Sequence, residues 1–210
     1  LIALSAKPEP EAMVDGLGSR FYVTETAIKT FSVGYPCQSA LDALLGLRSQ
    51  HALTPDRVQA ISIRLPTDAI GIVGESAMPD VNCQHLVAVA MLKGGVSFED
   101  SHNPALMKLP EIAAIRAKTR LTADPSLNDP AAPRGAIIEL TLADGSRVAP
   151  HTRFAPGTKE NPLSSDAVNA KVRDLMAPVL GVRKTERLIS AVQSLETMDD
   201  VRRLRSLFTA

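Results

Sequence analysis

The segment AIIELTLADGSRVAPHTRF, residues 136–154, does most to narrow the folds open to this chain. Apolar and polar residues alternate on both sides of Asp144-Gly145, a pair whose backbone accepts the positive φ angles of a tight hairpin turn. Arms joined this closely pair antiparallel, so a purely parallel, doubly wound sheet is excluded for this region.

The remaining segments read as strands and helices in alternation. VQAISIRLP (58–66) alternates and stops at proline, which predicts a strand with Val58, Ala60 and Ile61 or Ile63 inward. TRLTAD (119–124) reads as another strand, and SRFYVTETAIKTF (19–31), rich in aromatic and β-branched residues, reads as extended. Helical spacing of Ala40, Leu41, Leu44, Leu45 and Leu47 predicts a helix from Gln38 to about Gln50. VNCQHLVAVAMLKGG (81–95) is a second helix, closed by Gly94-Gly95. Residues 104–118 give one or two short helices broken before Pro110. A helix capped by Ser165 or Asp166 runs through Leu180 to Gly181, and helical stretches follow over 183–196 and 198–208. AIGIVG (69–74) is a short apolar piece between glycines, PSLNDPAAPRG (125–135) a proline-rich loop, and residues 1–20 a helix remnant followed by a loop.

This order is mixed up to about residue 155 and all-helical from 160, which argues for the α+β class. The final helices carry apolar stripes (Leu188, Ile189, Val192, Leu195, for example) that need a surface to pack on. A helical body to which this chain contributes only a part is the expected partner, and the opening in mid-pattern at Leu1 reads as a fragment or a processed chain.

Lysine plus arginine and aspartate plus glutamate both number 23, so no excess positive charge is available for nucleic-acid binding. Aromatics are only 3% and tryptophan is absent, so the core must be built from Ala, Leu, Val and Ile. No apolar run approaches the ~20 residues that span a bilayer, and the opening stretch lacks the pattern of a secretory signal. Cys37 and Cys83 form neither a disulfide framework nor a zinc spacing, and read as small buried hydrophobes in a cytoplasmic protein.

No P-loop, nucleotide-binding glycine triad, HExxH or G-x-S-x-G is present, and the four histidines are not spaced for a metal. His51 follows a helix as a dipole partner, and His151 sits exposed on the second hairpin arm. His85 lies in the first turn of a helix, where backbone N–H groups lower its pKa and favour neutral imidazole; it is either a structural helix-start histidine or a functional one. His102 is a loop histidine near a helix start, readable as a polar cap or as a substrate contact. Lys29 precedes Phe31, Val33 and a Gly-Tyr-Pro turn. It is therefore held at the edge of packed structure, where it is either a solvated charge or a carboxylate-binding and proton-transferring group.

Five blocks, in order, resemble the MmgE/PrpD family, which includes 2-methylcitrate dehydratases, cis-aconitate decarboxylases and iminodisuccinate epimerases. Lys29, Phe31, Gln38, Leu41, Asp42 and Ala43 resemble its Lys-x-aromatic-Pro loop running into a helix with His and Ile-Asp-Ala. NCQHLVAVAMLKGGVSF, PEIAAIRAKTRL, IIELTLADGSR and GTKENPLSSDAVNAKVRDL are similar to four further family segments. The resemblance implies an all-helical domain with an inserted α+β lid carrying a mainly antiparallel sheet. Residues 1–20 would end the helical domain, 21–158 form the lid, and 159–210 supply the C-terminal helices. The N-terminal helical half would lie outside this chain. The active site would lie between the domains of a homodimer, with no metal or organic cofactor, no nucleic acid and no membrane.

By position, the resemblance makes Lys29 and His85 catalytic; Gly34, Gln38 and His102 are the expected substrate-binding residues. Ser32 stands where the family usually has proline, Gln38 where many members have histidine, and Gly34 where the decarboxylase branch places a histidine. The implied function is a lyase or isomerase that abstracts a proton next to a carboxylate of a small di- or tricarboxylate. Dehydration of the 2-methylcitrate type is favoured, in propionate metabolism, and this chain alone is expected to be inactive. The other reading is a non-catalytic interaction or assembly domain.

Overall fold

Alternation in two segments builds the centre of the sheet. β1 (Val58–Leu65) and β3 (Ala136–Leu142) run antiparallel, with Ile61 opposite Leu140 and Ile63 opposite Ile138. β2 (Thr119–Ala123) adds to β1 in parallel, and β4 (Arg147–Val148) and β5 (His151–Thr152) add antiparallel to β3. The computed structural model describes residues 7–209, so the part of the expected helix remnant over residues 1–6 lies outside the described residues. The expected α+β class is the one adopted: seven α-helices among the described residues accompany a five-stranded, mostly antiparallel sheet.

The Asp144-Gly145 turn forms as the pattern predicts. Gly145 has φ of +82° and Asp144 Oδ1 accepts from the Ser146 N–H at 2.9 Å. The return arm is split, because Pro150 has no N–H for the ladder; its carbonyl still accepts from Ile138 N at 3.2 Å. In β1 the expectation of an inward Ala60 fails. The register shifts between Val58 and Ala60, and that bulge changes the phase, so Val58, Ile61, Ile63 and Leu65 are buried while Ala60 is exposed.

Helices α1 (Gln38–His51) and α3 (Cys83–Lys93) pack on each other and on the buried face of the sheet. Asn82 caps α3, its side chain accepting from His85 N at 2.9 Å, and Gly94 ends it with φ of +82°. AIGIVG is helical, as part of α2 (Thr67–Val73); Ala69 and Val73, four residues apart, are both buried, and α2 packs against β2. Pro110 opens α5 (Pro110–Ala117) after a 3₁₀ turn at Pro104–Lys108, which is the expected break.

Two segments depart from expectation. Residues 19–31 form no strand: a 3₁₀ turn at Tyr22–Glu25 lies in irregular chain with Phe21, Tyr22 and Val23 exposed. β-propensity reports fit to a half-buried pleated surface, and no strand edge is paired with this segment. The last helix is 3₁₀, over Val201–Leu207, and its buried Leu204 and Leu207 stand three residues apart, the period of that helix. With α6 (Ser165–Leu180) and α7 (Val182–Gln193) it forms a small second core of Leu188, Leu204 and Leu207, joined by Met176 and Leu180. Among the described residues no helix is long and apolar enough to cross a membrane.

One glycine ties the loop before α6 to the segment bearing Lys29. Gly157 has φ of +89°, and a Cβ there would lie 1.8 Å from the Ile28 carbonyl oxygen, whose own N–H donates to Gly157 O at 2.9 Å. Gly157→Ala is therefore expected to destabilise the protein by at least ~2 kcal/mol, through left-handed strain and the backbone clash together. Urea denaturation checks this; a loss below about 0.5 kcal/mol contradicts it.

Candidate active site

Lys29 is exposed, and its Nζ donates to Val33 O at 3.1 Å. The chain beyond it is anchored from both sides. Phe31 and Val33 insert into the main core. The fully buried Gln38 amide accepts from Phe31 N at 3.1 Å and donates to Phe31 O at 2.9 Å, completing that residue's backbone as a neighbouring strand would. Gly34 N donates to Asp80 O at 2.7 Å, and a Cβ on Gly34 would meet Val73 at 3.4 Å and Val81 at 3.5 Å. Gln38 and Gly34 thus brace the loop with the groups they would otherwise offer to a ligand, and Lys29 is left presenting its charge.

Helix α4 (Phe98–His102) lies beside this loop. Ser97 and Asp100 form a reciprocal capping box at its start. Ser101 Oγ donates to Phe98 O at 3.0 Å and lies 3.5 Å from Ser32 O, so α4 and the Lys29 loop meet there. His102, expected on a loop, is the last residue of α4, with its ring stacked 4.2 Å from Phe98. Its Nδ1 is 2.9 Å from Phe98 O. A carbonyl only accepts, so this contact assigns a proton to Nδ1. Across from α4, Asp174 of α6 accepts from Phe98 N at 2.8 Å. Phe98, His102, Asp174, Leu175 and Pro178 border a cleft of about 610 Å³ between the two helices.

His85 is not part of this grouping. It is fully buried on α3, and both ring nitrogens lack a hydrogen-bond partner. Cys83 faces the Lys29 side: it hydrogen-bonds the Cys37 thiol, and that bond first, then burial, pushes the Cys37 pKa well up. Two residues on, about 200° around the helix, His85 points the other way. Burial, and then the charge of Arg116 on α5, lower its pKa from 6.5 to about 4, so its ring is neutral near pH 7.

Lys29, Gly34, Gln38 and His102 therefore fall in one neighbourhood and His85 in another. Ser101 and Asp174 belong to the first and were missed by reading the sequence. A serine or aspartate within a helix carries no local signal, since only the packing of α4 on the Lys29 loop and of α6 on α4 gives these two a role. Among the described residues, no three His, Cys, Asp or Glu side chains gather as a metal site requires.

The family model described as the MmgE/PrpD C-terminal domain matches residues 31–197. Among curated relatives, the cis-aconitate decarboxylase-like protein oryM of Aspergillus oryzae is 22% identical over 217 residues, covering 96% of this chain and 44% of that protein. The chain thus spans less than half the length of that relative.

The buried His85 has a consequence for stability. Folded, it stays neutral down to about pH 4, whereas unfolded it protonates near 6.5. The unfolded state binds the extra proton between those values, so this contribution is complete above pH 6.5 and is lost as pH falls toward 4. Between pH 7 and 5 the wild type is expected to lose about 2 kcal/mol more stability than His85→Leu. Urea denaturation of both at the two pH values measures the difference; equal losses would exclude the buried neutral state.

Proposed function

This chain belongs to the MmgE/PrpD family, spanning its C-terminal domain, and on that premise we propose that it supplies the lysine-bearing wall of a lyase active site for a small di- or tricarboxylate. The carrying observation is Lys29: a cation without a carboxylate partner among the described residues, exposed on a loop that the core, Gln38 and Asp80 hold in place. Preorganised charge of this kind stabilises developing negative charge without reorganising during the reaction.

The chemistry is proton abstraction beside a carboxylate. As the C–H proton leaves, the electron pair delocalises onto that carboxylate, and the Lys29 ammonium binds its oxygens through charge-assisted hydrogen bonds. The pair then forms the C=C bond as the β-carbon–oxygen bond breaks, and the hydroxyl departs as water with the proton that the base had taken. His102, held by its Nδ1 on the Phe98 carbonyl, serves as a substrate contact and as the proton acceptor for this step. Dehydration of the 2-methylcitrate type is favoured over decarboxylation because Gly34 offers no side chain where the decarboxylase branch carries a histidine, and its N–H is engaged with Asp80 O.

The opposite wall comes from the helical half that the family resemblance implies. The unburied apolar residues of α6 and α7, with Val179 at 67% and Val182 at 69% exposure, support such a covering partner. In the full-length protein, assayed against a panel of di- and tricarboxylates, Lys29→Ala is expected to lower kcat/KM by at least ~100-fold with the thermal transition unmoved. The 210-residue chain alone is expected to turn over none of them. Unchanged turnover in Lys29→Ala would remove the lysine from the mechanism.

A further inference from the structure

Lys171 stands on α6 three residues before Asp174, and residues at that spacing share a helix face. Asp174 fixes where this face turns, because its carboxylate accepts from Phe98 N at the start of α4. Helix α4 in turn meets the Lys29 loop at Ser101 and Ser32. From the other direction, the loop leading into α6 is bonded to the Lys29 segment through Ile28 N and Gly157 O, at 2.9 Å. Two independent ties, one before α6 and one along it, therefore hold α6 on the side of the segment that carries Lys29.

Lys171 is half-buried and makes no hydrogen bond or ion pair among the described residues. Burial lowers its pKa; the Asp174 charge opposes that, and the positive charge of Lys29 adds to it. Among the described residues Lys29 has no ion pair either, and its Nζ donates to the Val33 carbonyl. The two ammonium groups thus lie within electrostatic reach of each other, while the nearby carboxylate of Asp174 is engaged with a backbone N–H. Like charges brought together and partly desolvated are unfavourable until an anion bridges them. One carboxylate satisfies one ammonium; a ligand with two carboxylates satisfies both.

We propose that Lys171 is the second cationic anchor of the site, binding the distal carboxylate of the substrate whose reacting carboxylate Lys29 holds. Lys171 then selects di- and tricarboxylates over monocarboxylates. This rests on the reading of Lys29 as a carboxylate-binding residue. Lys171 acts on binding, not on the proton transfer, so its loss falls on KM and leaves kcat nearly unchanged.

The test is isothermal titration of the full-length protein with tricarballylate, a tricarboxylate without a hydroxyl to lose, and with butyrate, a monocarboxylate. Lys171→Met is expected to weaken tricarballylate about 10- to 100-fold, the range for losing one charge-assisted hydrogen bond, and to leave butyrate unchanged. Lys171→Arg is expected to retain tricarballylate within about threefold, and Lys29→Met to weaken both ligands. Circular-dichroism melting of each variant confirms the fold. If Lys171→Met binds tricarballylate as the wild type does while Lys29→Met does not, the second anchor is overturned and the Lys29 reading stands. If both variants bind both ligands like the wild type, the two fall together. Equal weakening of butyrate and tricarballylate by Lys171→Met also overturns the assigned specificity.

Discussion

Helix α3 has almost no side to turn to water: eight of its eleven residues, from Cys83 to Met91, are buried. A helix that is apolar around its circumference must be enclosed, and α1, α5 and the sheet enclose it. Burial of each of its large aliphatic side chains contributes about 1.5–3 kcal/mol, so a displaced α3 would consume the whole net stability of a domain, roughly 5–15 kcal/mol. The site inherits this constraint. The turn before α3 holds the turn before α1, through Gly34 and Asp80 and through the hydrogen-bonded Cys37 and Cys83 thiols. With both turns tied to an enclosed helix, the Lys29 loop has little freedom to move.

The same burial divides the titratable groups by role. An imidazole placed inside, as His85 is, loses its hydration and stays neutral, so its effect is on the pH dependence of folding. The lysines are treated differently. Lys29 projects from an anchored loop, and Lys171 borders a seam between helices, with no ion pair to either among the described residues. Charge kept at an accessible edge, with its support buried behind it, is the arrangement that anion recognition requires.

Position in a family motif and position in space are separable here. Gln38 and Gly34 are expected from the family resemblance to meet substrate, yet in the structure their polar groups brace the loop. A primary amide carries a donor and an acceptor on one planar group, which matches the N–H and C=O of Phe31. His102 moves the other way. Its neighbours in sequence suggest a cap, and its place at the end of α4, beside Ser101 and the cleft facing α6, brings it toward Lys29.

What was legible in the residues is what depends on near neighbours. The Asp-Gly hairpin, the start of α5 at Pro110, the Gly94 end of α3 and the α+β class all follow from spacing and from the backbone preferences of single residues. The placement of Lys29 beside packed apolar residues was legible for the same reason. Tertiary structure decided the rest, because those features compare distant segments. The bulge that turns Ala60 outward answers to the pairing with β3, and the missing strand at 19–31 reflects a sheet edge that never reaches it. The direction His85 faces depends on which side of α3 meets α5. The meeting of α6 with α4 and the Lys29 loop rests on bonds such as Phe98 to Asp174, between residues 76 positions apart; local periodicity holds no record of such a contact.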